Sequence, residues 1–124
     1  MNWSAHLYEI IGWLRRCGVT VHEHAAELPF SGMYRSETRE IFLNEPSAFG
    51  AVLTIAHEAG HWLGYLIDEK PYSYQRERQA FVYGWHVLQW FEVPVELSVW
   101  IACDRATRDW SRTTEPAGTE GLFL

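Results

Sequence analysis

Apolar residues recur along the first part of the chain with the spacing of a helix. They stand at positions i, i+3, i+4 and i+7, and a glycine follows where a helix would end. The residues are Leu7, Ile10, Ile11 and Leu14, followed by Gly18. The pattern predicts an amphipathic helix over residues 3–17 that packs by its apolar face.

The next apolar residues alternate with polar ones, as in strands. Residues 19–23 read Val-Thr-Val-His-Glu and predict one strand, and residues 32–35 and 39–43 predict a hairpin across a polar Ser-Glu-Thr turn. These segments predict a small antiparallel sheet of about three strands.

A longer helical pattern begins after the hairpin. Asn44 or Ser47, with Pro46 near the first turn, can start a helix that runs to about Asp68. On a helical wheel, one side carries small, polar and histidine residues and the other carries apolar ones. The first set is Gly50, Thr54, His57, His61, Gly64 and Asp68, and the second is Val52, Ile55, Ala59, Trp62, Leu63 and Leu66. The partition predicts a half-buried helix with one face available for chemistry.

Two further helices are predicted, from about Tyr74 to Phe91 and from Pro94 to about Trp110. Residues 111–124 are polar and contain Gly and Pro, which predicts a flexible tail apart from its apolar end. That end is Leu122, Phe123 and Leu124.

Together these elements predict an α+β fold. The small sheet would pack on the N-terminal helix, with an active-site helix and two C-terminal helices completing one domain over residues 1–110. A chain of 124 residues, 48% hydrophobic and with seven Trp, is long enough to bury one core and short for two.

Charge and hydropathy narrow the class of protein. The net charge is −6 and no run of Lys or Arg could follow a phosphate backbone, so direct nucleic-acid binding is disfavoured. The N-terminus lacks a basic segment before an apolar one, and no apolar run reaches the ~18 residues of a membrane span. We therefore expect a cytoplasmic protein without a membrane partner.

Cys17 and Cys103 stand far apart in sequence and predict buried free thiols.

The candidate chemistry lies in the long predicted helix, at His57-Glu58-Ala59-Gly60-His61. Residues four apart share one helix face, so His57 and His61 can both bind one metal ion. Glu58 lies about 100° round the helix, beside the metal and not on it. This His-Glu-x-x-His motif predicts a zinc hydrolase, which needs a third protein ligand.

Of the carboxylates downstream of His61, Asp68 and Glu77 are the candidates for a place at the site. Asp68 is about 10 Å along the helix from His61 and therefore too far to share the ion, although it could contact a ligand. Glu77 lies early in the next helix, where an antiparallel return would bring it back across the motif. Its helix face is otherwise apolar, so a buried Glu77 would need a partner such as a metal. The alternative is a solvated Glu77 between Arg76 and Arg78.

Three sequence runs together resemble the ImmA/IrrE family of zinc metallopeptidase-like proteins. They are Ile41–Asn44, His57–His61 and Glu77 with Ala80 three residues later, within a match over residues 19–92. The resemblance implies a reduced gluzincin fold.

The resemblance also implies roles for individual residues. His57 and His61 match the metal-binding histidines, Glu58 matches the general base, and Glu77 matches the third ligand. The Leu-Leu-Met-Pro sequence that commonly closes the family's second helix is absent, because Val87–Trp90 stands there.

The predicted function is that of a zinc-dependent endopeptidase, with Glu58 activating the zinc-bound water. The resemblance implies that the protein comes from a phage or bacterium and that its substrate is a protein partner, a repressor-like transcriptional regulator. The substrate is expected to add as an extended segment beside the sheet edge, at the strand of residues 39–43. The alternative is a non-proteolytic zinc-containing interaction module that binds a regulator or a toxin.

Other polar side chains are weaker candidates. Tyr65, about 80° from His57 on the wheel, could donate to an oxyanion, with Tyr72 and Tyr74 behind it. A second metal could bind His22 and His24, although a solvated sheet face is the favoured interpretation. His86 is expected to face away from Glu77 on the same helix.

Overall fold

The computed structural model describes residues 2–67, 74–114 and 122–123. Their order is α1 (Trp3–Arg16), β1 (Thr20–His22), β2 (Gly32–Arg35), β3 (Glu40–Leu43), α2 (Ala48–Ile67), α3 (Tyr74–Trp90), α4 (Leu97–Thr114) and β4 (Leu122–Phe123). The predicted α+β fold, with a helix before a small sheet and further helices after it, is confirmed.

The strands form one sheet in the order β1-β3-β2-β4. The hairpin pairs β2 with β3 antiparallel, as predicted, and Gly32 lies opposite Leu43. β1 instead pairs parallel with the other side of β3, with Val21 opposite Ile41, so the prediction of a wholly antiparallel sheet is wrong. Pairing with β2 leaves the other edge of β3 free, and β1 pairs there, running in the same direction as β3. β3 is therefore a central strand, and the expectation that residues 39–43 form the edge is also wrong.

Helix α2 runs through the centre of the fold. It contacts α1, α3 and strands β2, β3 and β4, and every residue from Ala51 to Trp62 is buried. The hydroxyl of Ser47 accepts a hydrogen bond from the Gly50 N–H at 3.0 Å, which identifies the helix start among the predicted alternatives. The expected half-buried helix is wrong, because α3 covers the face that carries the histidines.

Helices α2 and α3 approach each other backbone to backbone. A Cβ atom at Gly60 would collide with the carbonyl oxygen of Ala80 on α3. A Cβ atom at Gly84 would lie 2.7 Å from the carbonyl oxygen of Ala56 on α2. Glycine is therefore required at both positions for the helices to pack at this distance.

Helix α4 begins at Leu97 and not at the predicted Pro94. The carbonyl of Glu96 accepts hydrogen bonds from the following turn, including one from the Trp100 N–H at 3.2 Å. The indole N–H of Trp100 donates to the Phe81 carbonyl at 2.9 Å, which joins α4 to α3. α4 is thus positioned by contacts that are remote in sequence.

The predicted flexible tail falls into three parts. Residues 111–114 belong to α4, residues 122–123 form β4, and the remainder lies outside the described residues. In the described part of the chain, no helix combines the length and apolar character needed to cross a bilayer.

The two cysteines are free thiols, as predicted. Cys103 is partly buried, but Cys17 is exposed, so the expectation of burial is wrong for that residue. Cys17 is the C-cap of α1, where the chain leaves the helix at the surface.

Candidate metal centre

The structure brings the three predicted metal ligands together. The Nε2 atoms of His57 and His61, one turn apart on α2, are separated by 3.1 Å. Glu77, in the first turn of α3, places Oε2 3.1 Å from Nε2 of His57 and 3.0 Å from Nε2 of His61. The Glu77 side chain is 0% exposed, so the alternative of a solvated carboxylate is wrong.

The three atoms have the separations of a ligand set. A point equidistant from them in their plane lies about 1.8 Å from each, and zinc binds nitrogen and oxygen ligands at about 2.0–2.2 Å. The three side chains are therefore close enough together to hold one such ion. Among the described residues, His57, His61 and Glu77 are the one group of three or more such side chains that could hold a metal ion.

Burial and mutual charge set the protonation of this group. Burial lowers the pKa of His57 to about 4, against the opposing effect of the nearby Glu77 carboxylate. Burial alone would raise the pKa of Glu77, but the charges and hydrogen bonds of His61 and His57 outweigh it and lower the pKa to about 2. At neutral pH the set therefore contains a neutral His57 and an ionised Glu77, the forms that bind metals.

Glu58 lies beside this set and is also fully buried. Neither of its carboxylate oxygens has a hydrogen-bond partner within the described part of the chain. Burial raises the pKa of Glu58 well above its ordinary value, and the charge of Glu77 adds to the effect. Oε2 of Glu58 points towards β2, because a Cβ atom on Gly32 would lie 3.3 Å from it. The carboxylate is thus close to the sheet as well as near enough to Glu77 to feel its charge.

Aromatic rings support the ligands from behind. The ring of Phe81 packs against His57 with centroids 4.3 Å apart, and Trp100 packs edge-on against Phe81 at 5.2 Å. Phe81 is one turn from Glu77 on α3, and its contact with His57 was not predicted from the sequence. The apolar spacing predicts that Phe81 is buried, and it does not specify the ring that it meets.

Tyr65 lies at the junction of α2, α3 and the sheet. Its ring centroid is 5.8 Å from that of Tyr34 and 4.2 Å from the guanidinium carbon of Arg76. Its role as an oxyanion donor stays a prediction. The other candidates, Asp68, Tyr72 and the side chain of Tyr74, lie outside the described residues.

The remaining histidines do not join the ligand set. His22 is 2.7 Å from Oε2 of Glu40 and stacks on Phe42, on the outer face of the sheet. His24 and His86 are exposed. β1 ends at His22 and His24 lies beyond it, so the expectation that the two histidines share a strand face is wrong. His86 lies at the surface, as expected.

Comparison with protein families, with curated proteins and with solved structures finds no match for this chain. The resemblance to the ImmA/IrrE family stays a prediction from the motif residues.

Proposed function

We propose that this chain is a cytoplasmic, zinc-dependent endopeptidase that cleaves a peptide bond in a protein partner, with a transcriptional regulator as the class of partner. The observation that carries the proposal is the Glu58 carboxylate, buried without a hydrogen-bond partner among the described residues and adjacent to the ligand set. Burying such a group is costly, and a structural metal site has no need of it. A catalytic site does need a carboxylate at this position.

The donor set supports zinc as the metal. Two imidazole nitrogens and one carboxylate oxygen are the ligands of the His-His-Glu class of catalytic zinc sites, which leave a fourth position open. Magnesium and calcium favour sites made of oxygen atoms alone. His57 and His61 therefore argue against those two ions.

The chemistry divides between the metal and the chain. A zinc ion at His57, His61 and Glu77 would act as a Lewis acid that polarises the scissile carbonyl and acidifies water. Glu58 would accept a proton from the attacking water on a carboxylate oxygen and donate it to the leaving amine nitrogen. The four side chains are 0–2% exposed, so the proton would pass within a space that excludes bulk water.

The test compares the unsubstituted protein with Glu58→Gln. Zinc content is measured by elemental mass spectrometry, and hydrolysis is measured on a library of internally quenched peptides. Because the amide keeps the size of the side chain but cannot take the proton, we expect about one zinc per chain in both proteins and about 10²–10⁴-fold slower hydrolysis by the variant. Glu37→Gln, at an exposed position in the hairpin turn, is the matched control and should hydrolyse at the unsubstituted rate.

Each outcome decides between the candidate functions. Protein that holds no zinc after purification and zinc addition would overturn the proposal. Zinc binding without hydrolysis by the unsubstituted protein would favour the interaction module that binds a regulator or a toxin. Equal hydrolysis by the unsubstituted protein and Glu58→Gln would exclude Glu58 as the base.

A further inference from the structure

The outer side of β2 is occupied by a segment from the other end of the chain. β4 pairs antiparallel with β2, with Phe123 opposite Gly32 and Leu122 opposite Met33. β4 also contacts α2, the helix that carries the candidate metal centre. A sheet edge close to the site is therefore covered by the chain itself.

This edge lies directly over the candidate general base. Gly32 is so close to α2 that a Cβ atom there would collide with the side chain of Thr54 and lie 3.3 Å from Oε2 of Glu58. Phe123 is the β4 residue in register with Gly32. The backbone of β4 thus runs past Gly32, a residue of the sheet that lies close to Glu58.

The hydrogen bonds between β2 and β3 indicate which backbone groups of β2 face β4. The Ser31 carbonyl accepts a hydrogen bond from the Asn44 N–H at 2.7 Å, so Ser31 directs its backbone groups towards the β3 side. These directions alternate along a strand, so Gly32 directs its N–H and C=O towards β4. Phe123 lies directly opposite Gly32 and therefore directs its own N–H and C=O towards β2. The N–H and C=O of Leu122 point away from β2.

A peptidase substrate would need the same place. Extended peptides bind to folded proteins by adding a strand to an open sheet edge, through the backbone groups that β4 now engages. The ligand set and Glu58 are enclosed, with exposures of 0–2%. A peptide could reach them along β2 only after β4 leaves that edge.

We propose that the outer edge of β2 is the peptide-binding surface of the site and that β4 is its intramolecular occupant, which holds the chain in a self-inhibited state. The inference rests on the proposed function, because it identifies the place where the substrate would add. The substrate class is an extended peptide that pairs antiparallel with β2, as β4 does. Among the described residues, two residue pairs join β4 to β2, so a competing peptide could displace it.

Tethering determines the size of the expected effect. A segment attached through a short linker acts at an effective concentration of millimolar order. If β4 and a free peptide of the same sequence each bind the open edge with a dissociation constant of about 0.1 mM, the tethered β4 competes at roughly ten times that concentration. The free peptide would therefore bind the intact chain roughly tenfold more weakly.

The experiment uses a fluorescein-labelled peptide with the sequence of residues 115–124 and measures its binding by fluorescence anisotropy. Three full-length proteins are compared: the unsubstituted chain, Phe123→Pro and Leu122→Pro. Proline at position 123 removes the N–H that faces β2, whereas proline at position 122 removes one that points away. We expect Phe123→Pro to bind the peptide about tenfold more tightly than the other two proteins.

A second variant avoids proline altogether. A chain that ends at Gly121 lacks β4, and the amide of Gly32 should exchange with deuterium at least tenfold faster than in the full chain. Amides in the middle of α2 should keep their protection, which reports that the variant is folded. Unchanged exchange at Gly32 would overturn the proposal.

The outcomes separate this inference from the proposed function. Equal peptide affinities for the three full-length proteins would overturn self-inhibition, even if all three hydrolyse peptides at one zinc-dependent rate. Tighter binding by Phe123→Pro without hydrolysis by any protein would support the occupied edge and contradict the endopeptidase. A chain ending at Gly121 that binds no peptide would mean that β4 only covers the edge, and would overturn the inference.

Discussion

Replacing Gly60 by alanine should disturb both the packing of α2 on α3 and the metal centre. A Cβ atom at Gly60 would collide with the carbonyl oxygen of Ala80, and it would lie 2.8 Å from the Ala80 carbonyl carbon and 2.9 Å from the Gly84 nitrogen. All three atoms belong to the backbone, so no side-chain rotation can relieve the contact. α3 would have to withdraw from α2 by roughly 1 Å to restore ordinary van der Waals distances.

The withdrawal has two separate costs. Overpacking of this kind lowers the free energy of unfolding by about 1–3 kcal/mol. The higher helix propensity of alanine, compared with glycine, returns about 1 kcal/mol. Since both partners are backbone, we expect a net loss of about 2 kcal/mol in the free energy of unfolding. Glu77, one turn before Ala80, would move with α3. Metal–ligand distances tolerate shifts of only about 0.2 Å, so zinc affinity should fall about 10- to 100-fold.

Gly64→Ala on the same helix is the matched control. A Cβ atom there would lie 2.5 Å from Oε1 of Gln79 and 3.5 Å from Nη1 of Arg76, which are the ends of flexible side chains. Those side chains can rotate away, so this variant should be as stable as the unsubstituted protein or about 1 kcal/mol more stable. Its zinc affinity should not change by more than about threefold.

Two measurements test the prediction. Urea unfolding in the presence of a chelator gives the stability of the metal-free fold, separate from the contribution of bound metal. Competition with a fluorescent zinc chelator gives the affinity. If Gly60→Ala unfolds at the same urea concentration as Gly64→Ala and binds zinc equally tightly, the close approach at Gly60 does not position Glu77, and the reasoning fails.

Three further substitutions test other features of the fold. Glu77→Gln removes the charged ligand from α3 and should weaken zinc binding by at least about 100-fold in the same competition assay, so retained affinity would exclude Glu77 as a ligand. Trp100→Phe removes the buried hydrogen bond to the Phe81 carbonyl and should lower stability to urea by about 1–3 kcal/mol. Glu92 has φ 54°, which favours glycine, so Glu92→Gly should stabilise the protein by about 0.5–1 kcal/mol in thermal unfolding. A lower Tm for that variant would contradict this.

Sequence patterns predicted the helices well where the pattern is local. The apolar spacing of α1 and α2 repeats every turn within each segment, and the predicted bounds are close to those observed. The start of α4 was missed because it depends on the Glu96 carbonyl and on the docking of Trp100 against Phe81. The parallel pairing of β1 was missed because alternation within a strand does not identify its neighbour.

The candidate metal centre was predictable for a related reason. His57 and His61 are one helical turn apart, so their convergence follows from α2 alone. Glu77 could be assigned because an antiparallel return after a short connection leaves few positions that reach the histidines. The burial of the helix face around them could not be predicted, because it depends on how closely α3 packs at Gly60 and Gly84. The two-residue strand β4 is too short to show alternation.

The energetic cost of the site is concentrated in Glu58. His57, His61 and Glu77 contact one another at 3.0–3.1 Å, so even these buried polar groups have partners within the set. Glu58 is equally buried, but no hydrogen bond to the described residues compensates its carboxylate. If α2 had only a structural role, an apolar residue at position 58 would make the protein more stable. Such a local conflict with the rules of burial is expected where a side chain serves chemistry, so the proposal of a catalytic centre rests on Glu58 more than on the ligands.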